Sequence, residues 1–171
     1  MQGKTKGDKM AILNILKNED PTLRKTCRLV DEVTPRIRTL LDDMAETMRA
    51  AGGVGLAGPQ VGVLRRVVVI ETEESGLIEL VNPEIIRRSR EKQEGYEGCL
   101  SLPGRWGVTL RPMTVTVRAL DRNGKPFEMT GSGLLAKAFC HEIDHLDGVL
   151  YTDVAEKMLT QDEMREAGLI D

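Results

Sequence analysis

Apolar residues recur at Ile37, Leu40, Leu41, Met44, Ala45 and Met48 with polar residues between them, the spacing of a helix that lays one face on a core. Thr34 and Pro35 supply an N-cap and a first-turn proline, and Gly52-Gly53 ends the helix. From Arg65 to Pro126 the pattern shortens to β-rich runs, RRVVVIE, LIELVNP, EIIRRS, GVTLRP and MTVTVRAL, separated by Gly, Pro and Asn-Gly. A second helix is predicted from Ser132 or Gly133 to Asp147, with Leu134, Leu135, Ala138 and His141 on one face and Gly148 closing it. Thr160 with Glu163 forms a capping box that opens a short last helix. Strands gathered between helices, and not alternating with them, predict an α+β fold.

The length of 171 residues fits a single domain over 1–171, with the basic, polar residues 1–9 expected as a flexible extension. A net charge of -3 gives no bulk attraction to nucleic acid or to an anionic membrane. Aromatics are only 3 % of the chain, so stacking on bases has few rings to use and the core must be aliphatic. Apolar stretches such as Val67 to Ile70 fall far short of the roughly 20 residues of a membrane span. The N-terminus lacks the apolar segment of a secretion signal, so the expected location is cytoplasmic, or an organellar stroma or matrix after removal of a transit peptide. Three scattered cysteines, Cys27, Cys99 and Cys140, argue for reduced thiols over a disulfide framework.

The chain has two histidines, His141 and His145, four residues apart with Glu142 directly after the first. Chance gives this H-E-x-x-H pattern in roughly one chain in 900 of this composition, so it is read as a motif and not as two ordinary half-buried residues. On a helix both imidazoles reach one ion, while Glu142, rotated by about 100°, reaches a water bound there. Catalytic sites of this kind take a third protein ligand. Gly148 stands where a metzincin-like endopeptidase would have it, but Tyr151 occupies the place of its third His. Glu163 or Glu166 would serve a thermolysin-like arrangement by spacing alone. Cys27 and Cys140 read as packing thiols; Cys99, after Gly98 at the expected end of a strand, remains a further candidate.

Three ordered segments, GVGLAGPQ at Gly53 to Gln60, EGCLSLP at Glu97 to Pro103 and HEIDHLDG at His141 to Gly148, resemble the motifs of the peptide deformylase family. The resemblance runs from about Ile12 to Asp153, with Gly58 in place of the family's usual Ala and Cys140 in place of its usual Gln. It implies short antiparallel β-sheets packed around a central helix carrying the HExxH metal motif. It also implies a metal-dependent hydrolase that removes formate from the N-terminal formylmethionine of newly made polypeptides.

By that resemblance Cys99, His141 and His145 hold one divalent metal, Fe(II) in the native state with Zn(II), Ni(II) or Co(II) as replacements. Glu142 moves the proton, and the Gln60 amide and the Leu100 backbone N–H stabilise the oxyanion. Gly55 admits an extended substrate backbone as an added strand, and Val54 and Leu134 line a methionine pocket. Gly58 is expected to loosen the loop that holds Gln60. The expected partners are nascent N-formylmethionyl chains and, through them, the ribosome near its exit tunnel, with no nucleic-acid site and no membrane. The competing readings are an HExxH metallo-endopeptidase, distinguished by cleavage of internal bonds in unblocked peptides, and a structural metal module, which requires four closed protein ligands.

Overall fold

The computed structural model describes residues 11–171. The extension expected over residues 1–9 lies outside the described residues.

Helix α1 spans Pro35–Ala50, with Thr34 Oγ1 accepting from the Ile37 N–H. Leu41, Met44, Ala45 and Met48 are its buried face. Strand β1, Gly55–Ala57, leads into a 3-10 turn at Gly58–Val61. Strands β2 (Val67–Thr72), β3 (Gly76–Arg88), β4 (Lys92–Cys99), β5 (Leu102–Pro112), β6 (Thr114–Leu120) and β7 (Pro126–Ser132) follow. Helix α2 is Leu134–Leu146; α3 (Tyr151–Val154), β8 (Lys157–Met158) and α4 (Gln161–Glu166) complete the order. The five-stranded sheet has the order β1-β2-β3-β6-β7 and the three-stranded sheet β4-β5-β8, and every strand pairing within each sheet is antiparallel.

The run Val67 to Ile70 is apolar at every position because β2 is covered on both faces. Val67 and Val69 pack with Met44 and Met48 of α1, while Val68 and Ile70 pack with Phe139, Ile143 and Leu146 of α2. Burying such side chains contributes about 1.5–3 kcal/mol each, which makes this run the anchor of both helices. The small residues of α2, Ala136 and Ala138, let it lie close over the sheet.

Two expectations need correction. LIELVNP and EIIRRS are one strand, β3, with a register shift between Val81 and Glu84. Asn82 takes φ 52° there and both ends of its amide bond the Val30 backbone at 2.8 Å, so the Asn-Pro step is a bulge and not a break. Strand β7 lies where no strand was expected, and β4, expected only at its end before Cys99, runs back to Lys92; both are sheet edges. The helix boundaries fall as anticipated, with α2 one or two residues shorter at its start, and the Thr160–Glu163 capping box is present.

Candidate active site

Helix α2 presents His141, Glu142 and His145, all buried, and the end of β4 brings Cys99 to them. One ligand atom from each of Cys99, His141 and His145 lies within 4.8 Å of the others. Cys99 Sγ is 3.3 Å from His145 Nε2. His141 Nδ1 is 2.6 Å from Glu97 Oε2. A carboxylate can only accept, so Nδ1 carries the proton and Nε2 is left free for an ion. His145 Nδ1 and Glu142 Oε2 are buried without a hydrogen-bond partner among the described residues. A soft thiolate, two imidazoles and a carboxyl beside them with one oxygen unpartnered fit a divalent metal with an open position. Glu163 pairs with Lys157 and Thr160, and neither it nor Glu166 belongs to the cluster.

The Tyr151 position, read against the endopeptidase pattern, has a clear job. Its buried ring stacks on His141 with centroids 6.0 Å apart, and its hydroxyl donates to the Arg105 carbonyl at 3.1 Å.

Glu97, Arg111 and Asp144 were not assigned a role from the sequence. Glu97 Oε1 accepts from Thr109 Oγ1 at 2.8 Å and Arg111 Nε at 3.0 Å, and Oε2 from Arg111 Nη2 at 2.7 Å as well as His141. Arg111 Nη1 also donates to Asp144 Oδ2 at 2.9 Å. Burial works against the Glu97 carboxylate, but the bonds from His141 and Arg111 outweigh it and hold its pKa well below the usual range. The result is a fixed anion that orients the His141 ring. Burial pushes the Glu142 carboxyl up to about 7, with His141 opposing and Glu97 and Asp144 assisting. A carboxyl near neutrality suits proton transfer in both directions.

A cavity of about 420 Å³ opens over the cluster, lined among others by Gly53, Val54 and Gly55 and by Tyr96, Gly98 and Leu100. Val54 and Leu134 are partly exposed in its lining, as a pocket for an apolar side chain requires. Gly55 has a second reason to lack a side chain: a Cβ there would stand 2.8 Å from Glu142 Cγ. Leu100 sits in the turn between β4 and β5, against Gly53, where a Cβ would come within 2.5 Å of Leu100 Cδ1.

Gln60 is buried in the 3-10 turn, and its Oε1 accepts from the Ala57 N–H at 2.9 Å. That bond fixes the amide's orientation, so Nε2 faces Ser101 Oγ at 3.1 Å and Cys99 Sγ at 3.6 Å. Gly58 does not loosen this loop. It is buried, and a Cβ there would lie 2.6 Å from the Arg65 carbonyl and 2.7 Å from that of Val63. Cys140 points into the aliphatic core and not toward the cluster.

A thiol and a helix-borne imidazole pair with an adjacent buried carboxyl, at the foot of a cleft between two sheet edges, make up the equipment of a metal-dependent hydrolase. Comparison with known proteins narrows this class. The family model for polypeptide deformylase matches residues 12–161, and the chain belongs to that family, whose members are metal-dependent deformylases. A peptide deformylase of Lachnoclostridium phytofermentans is 59% identical over 146 residues, covering 84% of this chain and 89% of the relative. One from Acetivibrio thermocellus is 55% identical over 155 residues, covering 91% and 90%. Among solved structures, a peptide deformylase from Legionella pneumophila superposes with a TM-score of 0.81 at 44% identity over 93% of this chain and 92% of that one. One from Synechococcus elongatus in complex with actinonin gives 0.82 at 35% identity, covering 98% and 88%. No helix of the described residues is long and apolar enough to cross a membrane.

Proposed function

We propose that this chain, folded as one domain, hydrolyses the formyl amide at the N-terminal formylmethionine of newly made polypeptides. The convergence of Cys99, His141 and His145 beside the unpartnered oxygen of Glu142 carries this reading. A divalent ion held by these three ligands supplies Lewis acidity and brings the pKa of a water toward neutrality. The mixed thiolate and imidazole set accommodates Fe(II) or Zn(II), and the family resemblance favours Fe(II), with Zn(II), Ni(II) or Co(II) as replacements.

The substrate enters as an extended strand between β1 and β4, both of which are sheet edges and line the cavity. Gly55 keeps the β1 edge low, and Val54 and Leu134 receive the methionine side chain. Glu142 Oε2 takes a proton from the attacking water as the water oxygen bonds the formyl carbon. Gln60 Nε2, held by the Ala57 contact, and the Leu100 N–H donate to the formyl oxygen as negative charge develops on it. Glu142 then returns the proton to the amine nitrogen as the carbon–nitrogen bond breaks, leaving formate and a free N-terminus. Glu97 positions the His141 ring throughout.

The test compares formyl-Met-Ala-Ser with acetyl-Met-Ala-Ser and with an unblocked peptide. A site closed around a formyl hydrogen has no room for an acetyl methyl, so formate release should exceed acetate release by at least about 100-fold, with no internal cleavage. Equal rates on the two acyl groups would make the protein a general amidohydrolase, and internal cleavage would revive the endopeptidase.

A further inference from the structure

Residues 11–27 run as one arm across all three motif segments, and each crossing is a main-chain hydrogen bond. The Leu16 N–H donates to the Gln60 carbonyl, the Asn18 N–H to the Ser101 carbonyl and the Cys27 N–H to the Leu146 carbonyl, each at 2.8 Å. The arm is itself anchored at its start. The Ala11 and Leu13 N–H groups donate to Asp43 Oδ1 at 2.9 Å and Thr47 Oγ1 at 2.8 Å on α1, and Leu13 and Ile15 pack with Met44 and Met48. Further along, Leu16 packs with Leu23, Leu102 and Tyr151.

Ser101 is where the arm meets the site. It is fully buried; its carbonyl takes the Asn18 bond, its Oγ accepts from Gln60 Nε2 at 3.1 Å, and Leu100 directly precedes it. The two groups assigned to the oxyanion, the Leu100 N–H and the Gln60 amide, thus stand one residue and one bond from a residue that the arm holds. Leu16 holds Gln60 a second time through its carbonyl. At Asn18 the chain turns with φ 57°, a left-handed conformation that Gly and Asn adopt and proline cannot. Asn18 is exposed, so a substitution there acts through the backbone.

We propose that Asn18 is a positioning residue for the hydrolysis: its turn sets the arm's N–H on Ser101 and so fixes the Leu100 N–H and the Gln60 amide where the oxyanion forms. The inference rests on the deformylase reading of the same site. Negative charge on the formyl oxygen develops only in the transition state, so loosening these donors lowers kcat and leaves KM nearly unchanged. Losing one such donor outright costs about 100- to 1,000-fold in kcat, and displacing the pair by releasing its anchor costs roughly tenfold to 30-fold.

The experiment measures formate release from formyl-Met-Ala-Ser per equivalent of bound metal, together with the melting temperature. Asn18→Gly keeps both the N–H and the φ, whereas Asn18→Pro has neither. Both lack the asparagine side chain, so the difference between them reads the turn and its bond. Asn18→Gly should stay within about twofold of the unaltered protein, and Asn18→Pro should fall roughly tenfold to 30-fold below it in kcat at nearly constant KM. Equal kcat in the two variants, even with a lower melting temperature for Asn18→Pro, makes the arm a support of the fold alone and overturns the proposal. So does a loss confined to KM or to metal content. Should Asn18→Pro fail to fold, Asn18→Val takes its place: it keeps the N–H but resists the left-handed turn, and its kcat should fall about threefold or more, an unchanged value overturning the proposal. No formate from the unaltered protein overturns the deformylase reading and this inference with it.

Discussion

Gly55→Ala tests how tightly the proton carrier is held. The added methyl would stand 2.8 Å from Glu142 Cγ and 2.9 Å from both Cδ and Oε1. Carbon atoms in contact prefer about 3.5–4.0 Å, so something must yield by roughly 0.7 Å or more. Glu142 is rooted in α2, whose buried face is fixed by Phe139, Ile143 and Leu146, and its carboxylate already lies 3.8 Å from His141 Nε2. Strand β1 is an edge, but Gly55 pairs with Ile70 and the neighbouring Leu56 is fully buried. Overpacking of this kind costs about 1–3 kcal/mol, and a base misplaced by a large fraction of an ångström loses roughly 30- to 100-fold in rate.

Formate release from formyl-Met-Ala-Ser then separates the two ways of relieving the clash. A fall in kcat at steady KM means that the carboxylate moved; a rise in KM means that β1 withdrew from the entering strand. Metal content should stay near one equivalent, because the three atoms nearest the inserted methyl all belong to Glu142, which is not one of the three ligands. Gly52→Ala is the control. Nothing lies within 4 Å of its added carbon, but its φ of +71° strains any other residue, so it should lose about 1 kcal/mol of stability and keep its kcat. A Gly55→Ala enzyme with unaltered kcat/KM would refute the assignment of Glu142 as a held proton carrier.

Glu142→Gln keeps the side-chain volume but accepts no proton, so the metal should remain while kcat falls about 100-fold or more; loss of metal by elemental analysis would instead make Glu142 a support of the ligand set. Cys99→Ala should lose most of its metal, whereas Cys27→Ala and Cys140→Ala should keep it. Burial raises the thiol pKa of both Cys27 and Cys140, which lowers their thiolate fraction at pH 8, so alkylation of the folded protein at these two positions should run well behind a free thiol and catch up on unfolding. Glu97→Gln removes the anion that faces buried Arg111 and the His141 ring, and should lower stability by about 3 kcal/mol and metal affinity by about 10- to 100-fold, read by melting and by competition with a chelator.

What was legible in the sequence depended on whether the signal was local. The helical stripe from Ile37 to Met48, the Thr160–Glu163 box and the His141–His145 spacing each fall within a few turns of chain, and each stands where its pattern puts it. Strand β4 is legible only at its Cys99 end, because its exposed face carries Lys92, Glu94 and Tyr96 and the inward positions before Glu97 are Gln93 and Gly95, so no apolar alternation marks its length. Strand β7 does alternate, Phe127 and Met129 inward with Glu128 and Thr130 outward, but Pro126 ahead of it looked like the end of the β region. Glu97 has no local signature. Its partners are 12, 14 and 44 positions away, and a lone Glu before Gly-Cys carries no sign of them.

Those long separations explain how the site is assembled. Cys99 belongs to the three-stranded sheet, while His141 and His145 ride on a helix packed against the five-stranded one. Three ligands drawn from two layers would depend on the ion alone to hold them in register if nothing else crossed the gap. Arg111 of β5 crosses it: two of its bonds go to Glu97 on β4, two residues before the thiol, and a third to Asp144 on α2, between the two histidines. Glu97 closes the circuit by accepting from His141 itself. The buried Arg111 guanidinium thus has a carboxylate on each side, one from the sheet and one from the helix, and the ligand atoms stand within 4.8 Å of one another through contacts that belong to the chain. A metal site organised in this way gives up little order on losing its ion, so chelated protein should regain metal and activity together without refolding.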